Sequence, residues 1–270
     1  MNRSPKRARL SGFTLIELIV VLGILSIFVA MVLPKLDGLQ SNANHAVGAA
    51  SANDLGRYIQ IYKATKNRLP DGYDSLIDPD TDDLWAPFNP GTTPPTPGLH
   101  TALSGATHKL VKTTLAAGEV AALNSAGIYT LYDLSPGTVR PGDRFNTPVV
   151  IAVDTPVATL DPVNGKKIIN HIYRDNLKLD ADGNAIPGND GKIPTGKRLI
   201  AFGFGPHNAM VGKTMVETPA YPNVDPTLTY NRNIVIFEVG TTGRAVIKAV
   251  VGTDGDLLDD MATDLFKDVQ

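Results

Sequence analysis

From Phe13 to Leu33 the chain is almost wholly apolar, F-T-L-I-E-L-I-V-V-L-G-I-L-S-I-F-V-A-M-V-L, and only Glu17 interrupts it with a charge. A helix rises about 1.5 Å per residue, so this run is about 30 Å long, the thickness of a bilayer's hydrocarbon core. A carboxylate at such depth costs about 2.5–3.5 kcal/mol on insertion scales, which marks Glu17 as a functional residue. Before the run stands a short leader whose only charges are Arg3, Lys6, Arg7 and Arg9. An ordinary secretory signal would have a shorter apolar core followed by a small-residue cleavage site. Neither feature is present, and a plain signal anchor would have no use for Glu17.

The words S-G-F-T-L-I-E-L after a basic leader resemble the N-terminus of type IV pilins and type II secretion pseudopilins. The resemblance implies cleavage after Gly12 by a prepilin peptidase and N-methylation of the new terminus, Phe13. It makes Glu17 the fifth residue of the processed chain, the family's hallmark glutamate, and puts Pro34 near the position where a proline often stands. A second, weaker resemblance lies in Y-K-A-T-K-N-R-L-P-D-G-Y-D-S-L-I, which looks like the end of the long helix in pseudopilins. The implied fold is α+β: a long N-terminal helix, transmembrane and then periplasmic, packed on a C-terminal antiparallel β-sheet. The implied partners are the prepilin peptidase, other pilin or pseudopilin subunits and an inner-membrane assembly platform.

The residues divide the chain as follows: 1–12 leader, 13–34 membrane helix, 35–67 amphipathic continuation, 68–146 loop and helical insertion, 147–252 sheet, 253–270 acidic tail. In the continuation Leu36, Leu39, Ala43, Ala46, Val47, Ala50, Leu55, Tyr58, Ile59 and Tyr62 recur at three- and four-residue steps and predict one apolar face. Pro34 removes a helical hydrogen bond and predicts a kink. Pro70 and Asp71-Gly72 end the helix in a turn. Residues 78–98, rich in Pro, Thr, Asp and Gly, read as a loop pinned by Trp85 and Phe88. Leu103 to Ala126 reads as helical, with Gly118-Glu119 as a break. Strand-like runs follow at 148–153, 167–173, 198–204, 233–239 and 244–251, the last two joined by a Gly240–Gly243 hairpin loop. The last residues carry Leu257, Leu258, Met261, Leu265 and Phe266, spaced for a short amphipathic helix.

The formal charge is −2, and without the leader's four cations the remainder is more acidic still. That balance predicts no nucleic-acid partner. The basic leader predicts a cytoplasmic N-terminus with the bulk of the chain across the inner membrane, in the periplasm. There is no cysteine, which removes disulfides, thiol nucleophiles and thiolate–metal sites. Asp180, Asp182 and Asn184, with Asp190, alternate oxygen ligands along a turn and suit calcium. The alternative is a solvated hairpin tip, since Asp-Gly and Asn favour turns in any case. Asp254, Asp256, Asp259 and Asp260 form a second acidic cluster, with the same two readings. Gly191 to Arg198 approaches a phosphate-binding loop but ends in Arg198 and a strand, where that motif needs a hydroxyl residue and a helix. The five histidines have no metal-ligand spacing, and no nucleophile elbow occurs. Nothing therefore argues for catalysis. The reading is a structural filament subunit, most simply a type II secretion pseudopilin; the alternative is a minor type IV pilin or an adhesin-like tip subunit that binds through residues 72–140.

Overall fold

The structure is a computed structural model. It describes residues 14–104, 109–134, 146–174, 191–221, 224–225 and 227–257, without the side chains of 34–42, 134 and 146. Two compact units divide the chain, Met1–Ala43 and Asn44–Gln270, and each is described by itself.

One helix, α1 (Leu15–Lys66), belongs in part to each unit and is helical through Pro34. Leu15 to Leu33 has a mean hydropathy of 2.9 and is long and apolar enough to cross a membrane. Its side chains are exposed, Leu15 by 76% and Phe28 by 66%. After Asn44 the helix turns a face to its own unit. Ala49, Ala52, Leu55, Ile59 and Tyr62 are buried, at the three- and four-residue steps of one helical stripe. The expected face is right from Leu55 onward; before it Ala43, Val47 and Ala50 are exposed and Ala46 is half-buried, while the side chains of Leu36 and Leu39 lie outside those described. The helix ends where Asn67 adopts a left-handed φ of 53° and donates its N–H to the Lys63 carbonyl at 2.8 Å. Asparagine is one of the few residues that tolerates this terminal conformation.

The sheet has eight strands: β1 (Tyr73–Asp74), β4 (Leu110–Thr114), β5 (Thr130–Leu134), β6 (Asn146–Val150), β7 (Pro156–Leu160), β8 (Lys197–Gly203), β9 (Ile234–Gly240) and β10 (Val246–Val251). A small separate pair is β2 (Ile77–Asp78) with β3 (Asp83–Leu84). The main path runs β10-β9-β8-β1-β5-β6. It forks at β8, which pairs with β1 through Gly203 and with β7 through Ile200 and Ala201; β4 then lies outside β7. Every pairing is antiparallel except β1 with β5. The expected antiparallel sheet on a long helix is therefore present, but it draws β1, β4 and β5 from the stretch read as an insertion.

Two cores lie on opposite faces of this sheet, and the alternation along its central strands assigns them. Ile200, Phe202, Val235, Phe237 and Val239 join Leu55, Ile59 and Tyr62 of α1 and Leu123 of α2 (Ala117–Ala126). Their neighbours Leu199, Ala201, Ile234 and Ile236 join Trp85, Leu99, Leu103 and the helix α3 (Lys166–Tyr173). Successive side chains of a strand point to opposite faces. A strand buried on both reads as an unbroken apolar run, as Leu199–Gly203 of β8 and Ile234–Phe237 of β9 do.

Three expectations need correction. Residues 167–173 are helix, not strand: Ile168, Ile169, Ile172 and Tyr173 stand at steps of one, four and five, which gathers them on one helical face. Within the stretch read as helical from Leu103, residues 103–104 stand in a turn and Leu110–Thr114 is strand, not helix. Gly118-Glu119 lies in the first turn of α2 rather than breaking it. A side chain at Gly118 would run into the Thr241 carbonyl, so glycine lets the helix start sit directly against the β9–β10 turn. Trp85 is buried as expected of a loop anchor, and Phe88 is half-buried.

Candidate assembly site

Thr14-Leu15-Ile16-Glu17 has the form that opens a helix, a hydroxyl residue followed three positions later by glutamate. Thr14 donates its backbone N–H (2.8 Å) and its hydroxyl (2.7 Å) to Glu17 Oε2. In return the Glu17 N–H donates to Thr14 Oγ1 at 3.3 Å. The first turn of an α-helix leaves N–H groups without partners, and this reciprocal box satisfies two of them. The one charge of the apolar run is thus anchored at the helix start by Thr14, the second residue after the expected cleavage point. Sequence reasoning missed this second role, although T-x-x-E was there to find it. Gly12 and Phe13 lie outside the described residues, as does any contact they make. Pro34 lies within α1 but its side chain is not among those described.

Asp180, Asp182, Asn184 and Asp190 also lie outside the described residues. Among the described residues no group of three or more His, Asp or Glu side chains is placed to hold a metal. In the second acidic cluster the described members face a lysine: Lys109 Nζ donates to the Asp254 carbonyl at 2.7 Å and to Asp256 Oδ1 at 3.3 Å. The ammonium bridges residues far apart in sequence and fixes the turn that follows β10. His207 stacks on Tyr132 with ring centroids 4.6 Å apart, while His100 Nδ1 accepts the Ala102 N–H.

The remaining polar groups hold the sheet unit together. Asp71 Oδ1 accepts the N–H groups of Tyr129 and Thr130, both at 2.8 Å, tying the turn after α1 to the start of β5. Asp74 is fully buried and accepts the Tyr230 hydroxyl at 2.8 Å. A side chain at Gly205 would collide with that carboxylate. Burial first, and the Asp74 charge next, push the Tyr230 hydroxyl well above its ordinary pKa. Glu119 opens α2, where it accepts the Ala116 N–H at 2.9 Å, and pairs with the Arg198 guanidinium of β8. Burial alone would raise its pKa, but the Arg198 hydrogen bonds, the Ala116 N–H and the guanidinium charge together hold it below the ordinary value. Glu238 accepts the Tyr173 hydroxyl (2.8 Å) and pairs with Lys248 (2.9 Å), linking α3, β9 and β10. Asp133 has no such compensation, and burial raises it to about 6.

Comparison with known proteins bears on the N-terminal part. Residues 7–33 match the prokaryotic N-terminal methylation motif. Over 66 residues the chain is 35% identical to the type IV wide pilus major component PilA4 of Thermus thermophilus, which takes in 24% of this chain and 50% of that protein. Over 79 residues it is 34% identical to the type II secretion system core protein G of Aeromonas hydrophila, 28% of this chain and 55% of that one. The chain spans about half the length of these curated relatives. No solved structure matches. The molecule is an α+β protein of pilin-like architecture that carries a prepilin-type N-terminal segment.

Proposed function

We propose that this chain is a structural subunit of a pilus-like filament, processed by a prepilin peptidase after Gly12 and assembled through α1. The observation that carries this reading is the exposed, membrane-length stretch Leu15–Leu33, whose one carboxylate is fixed at its very start. A secretion pseudopilin is the simplest form of it, because nothing among the described residues of the sheet unit suggests a ligand-binding or catalytic role. The basic leader holds the N-terminus in the cytoplasm and the sheet unit on the far side of the inner membrane. There the helix buries its apolar surface in lipid. On assembly it exchanges lipid for the helices of neighbouring subunits. Cleavage frees an ammonium at Phe13, and Glu17 of one subunit pairs with that ammonium on the next. Each charge offsets the desolvation of the other, which fixes the axial register.

Two substitutions test the scheme in cells that express the full assembly machinery. Gly12→Glu should leave the precursor uncut, seen as the larger species on a gel. Glu17→Ala should insert in the membrane and be cleaved as the wild type is. It should lose more than about tenfold in its assembled fraction, since leaving a buried charge without its partner costs about 3–5 kcal/mol. Normal incorporation of Glu17→Ala into filaments would overturn the pairing.

A further inference from the structure

Three cations from three parts of the sheet unit line one small cavity. Its volume is about 170 Å³. Lys63 comes from the last turn of α1, Arg68 from the turn that follows and Arg244 from the β9–β10 turn, with Asn67 beside them. Behind these polar groups the lining is apolar and buried, at Leu69 and Ala126. None of the described lining residues is acidic.

Part of this charge is structural. Lysines in a last helical turn answer the negative end of the helix dipole, and Lys63 shares that turn with Lys66. Arg244 donates Nε to the Ser125 carbonyl at 2.8 Å, which occupies one of its five N–H donors. Arg68 lies beyond the helix end, where the dipole does not account for it. Its stem is seated against the end of α2, because Gly127, at a φ of +107°, has no side chain to meet the Arg68 Cβ. Two carbonyls at this corner already have backbone donors: Lys63 accepts the Asn67 N–H at 2.8 Å and Ala126 accepts the Leu69 N–H at 2.7 Å. Among the described residues none of the three cations has a carboxylate in ion-pair distance. Three like charges around one cavity repel each other, and an anion between them removes that cost.

The size and charge of the cavity narrow the ligand. Sites for drug-sized molecules have about 300–1,000 Å³, so this one takes a single small group. A carboxylate would neutralise one of the three charges. A phosphate dianion neutralises two, and it has oxygens enough for both arginine forks and for a lysine acting as a point charge. We propose that this cavity binds one phosphate group, with Arg68 and Arg244 as forked donors, Lys63 as the point charge and the Asn67 amide as a neutral donor. The proposal is independent of the filament reading.

Titration calorimetry tests it on the full-length protein in detergent, in a phosphate-free buffer at neutral pH. Inorganic phosphate should give saturable one-to-one binding. Arg68→Gln and Lys63→Gln should each weaken it about tenfold or more, the loss of one charge-assisted contact. Lys213→Gln removes an exposed cation outside the cavity and should leave binding unchanged. Thermal midpoints without phosphate show that each variant is folded. Glycerophosphoglycerol, a soluble phosphodiester headgroup, distinguishes the sources. Binding as tight as that of inorganic phosphate assigns a lipid headgroup, and much weaker binding assigns free phosphate or a monoester. No saturation with either ligand would overturn the proposal, as would equal weakening by Arg68→Gln and Lys213→Gln. Binding of a glutamate-rich peptide without binding of phosphate would overturn it in favour of a protein partner.

Discussion

Two carboxylates of the sheet unit, the buried Glu119 and the half-buried Asp133, respond to acid in opposite directions, because Glu119 has a cation beside it. Glu119 is held below its ordinary pKa by Arg198 despite its burial. Its folded form therefore binds fewer protons than the unfolded chain, and its contribution is present above the unfolded value of 4.5 and lost as pH falls through the folded one. Asp133 is raised from 3.8 to about 6 by burial. Between those values the folded state binds the extra proton, so its contribution is full below the lower value and lost as pH rises through the upper. Thermal unfolding measured across this range should show Asp133→Asn abolishing a decline in stability between pH 4 and 6, about the interval over which the two states differ in protonation. An unchanged pH profile would place the Asp133 carboxyl in water. Glu119→Gln should cost about 2 kcal/mol, between exposed and fully buried pairs, because its side chain is 6% exposed and that of Arg198 35%. A loss within about 0.5 kcal/mol, the range of ordinary surface substitutions, would show that the pair contributes little.

Among the elements, α2 begins on an unfinished cap. Glu119 accepts the Ala116 N–H, but Ala116 has no side-chain oxygen to return the bond, although its φ of −79° and ψ of 156° suit a capping residue. Ala116→Ser should complete the box and raise stability by about 0.5–1 kcal/mol in denaturant unfolding, with no change in the slope. A neutral or destabilising outcome would mean that the serine hydroxyl does not reach the third N–H. The same element explains where sequence reading faltered. Residues 103–126 mix five residues of strand with ten of helix, and the apolar spacing of Leu110, Val111 and Leu115 fits either period. In α3 the adjacent Ile168-Ile169 looks like a strand until Ile172 and Tyr173 are counted with them. β8, β9 and β10 were legible because they are long, apolar and closed by a hairpin turn. β1 is two residues long, and its place beside β5 and β8 follows from tertiary pairing that no local pattern carries. At the candidate assembly site Glu17 was evident from its cost in an apolar run. Its bond to Thr14 was legible only as a capping motif, a signal that the membrane argument hid.

At the scale of the whole molecule, the described core residues of the sheet unit all follow Asn44. The buried stripe of α1 begins with Gly48 and Ala49, and both faces of the sheet are closed by elements that follow. Gly48 is where Tyr221 approaches so closely that a side chain would clash, so this contact too lies within the second unit. The stretch Leu15–Leu33, by contrast, has none of its side chains buried. A chain beginning at Asn44 should therefore be soluble without detergent. The first turn of its shortened helix should fray, because helix ends leave N–H groups without partners. It should keep a single cooperative unfolding transition, with a midpoint within a few degrees of the full-length protein in detergent, since a loss of about 1 kcal/mol shifts a unit of this size by about 2–4 °C. Circular dichroism and calorimetry would check this. Aggregation, or a broad transition with exposed apolar surface, would mean that the membrane-length segment supports the sheet directly. Under the proposed function, transfer from lipid into a filament changes the whole environment of the N-terminal helix, and a sheet unit whose described core residues all follow Asn44 keeps its structure through that transfer.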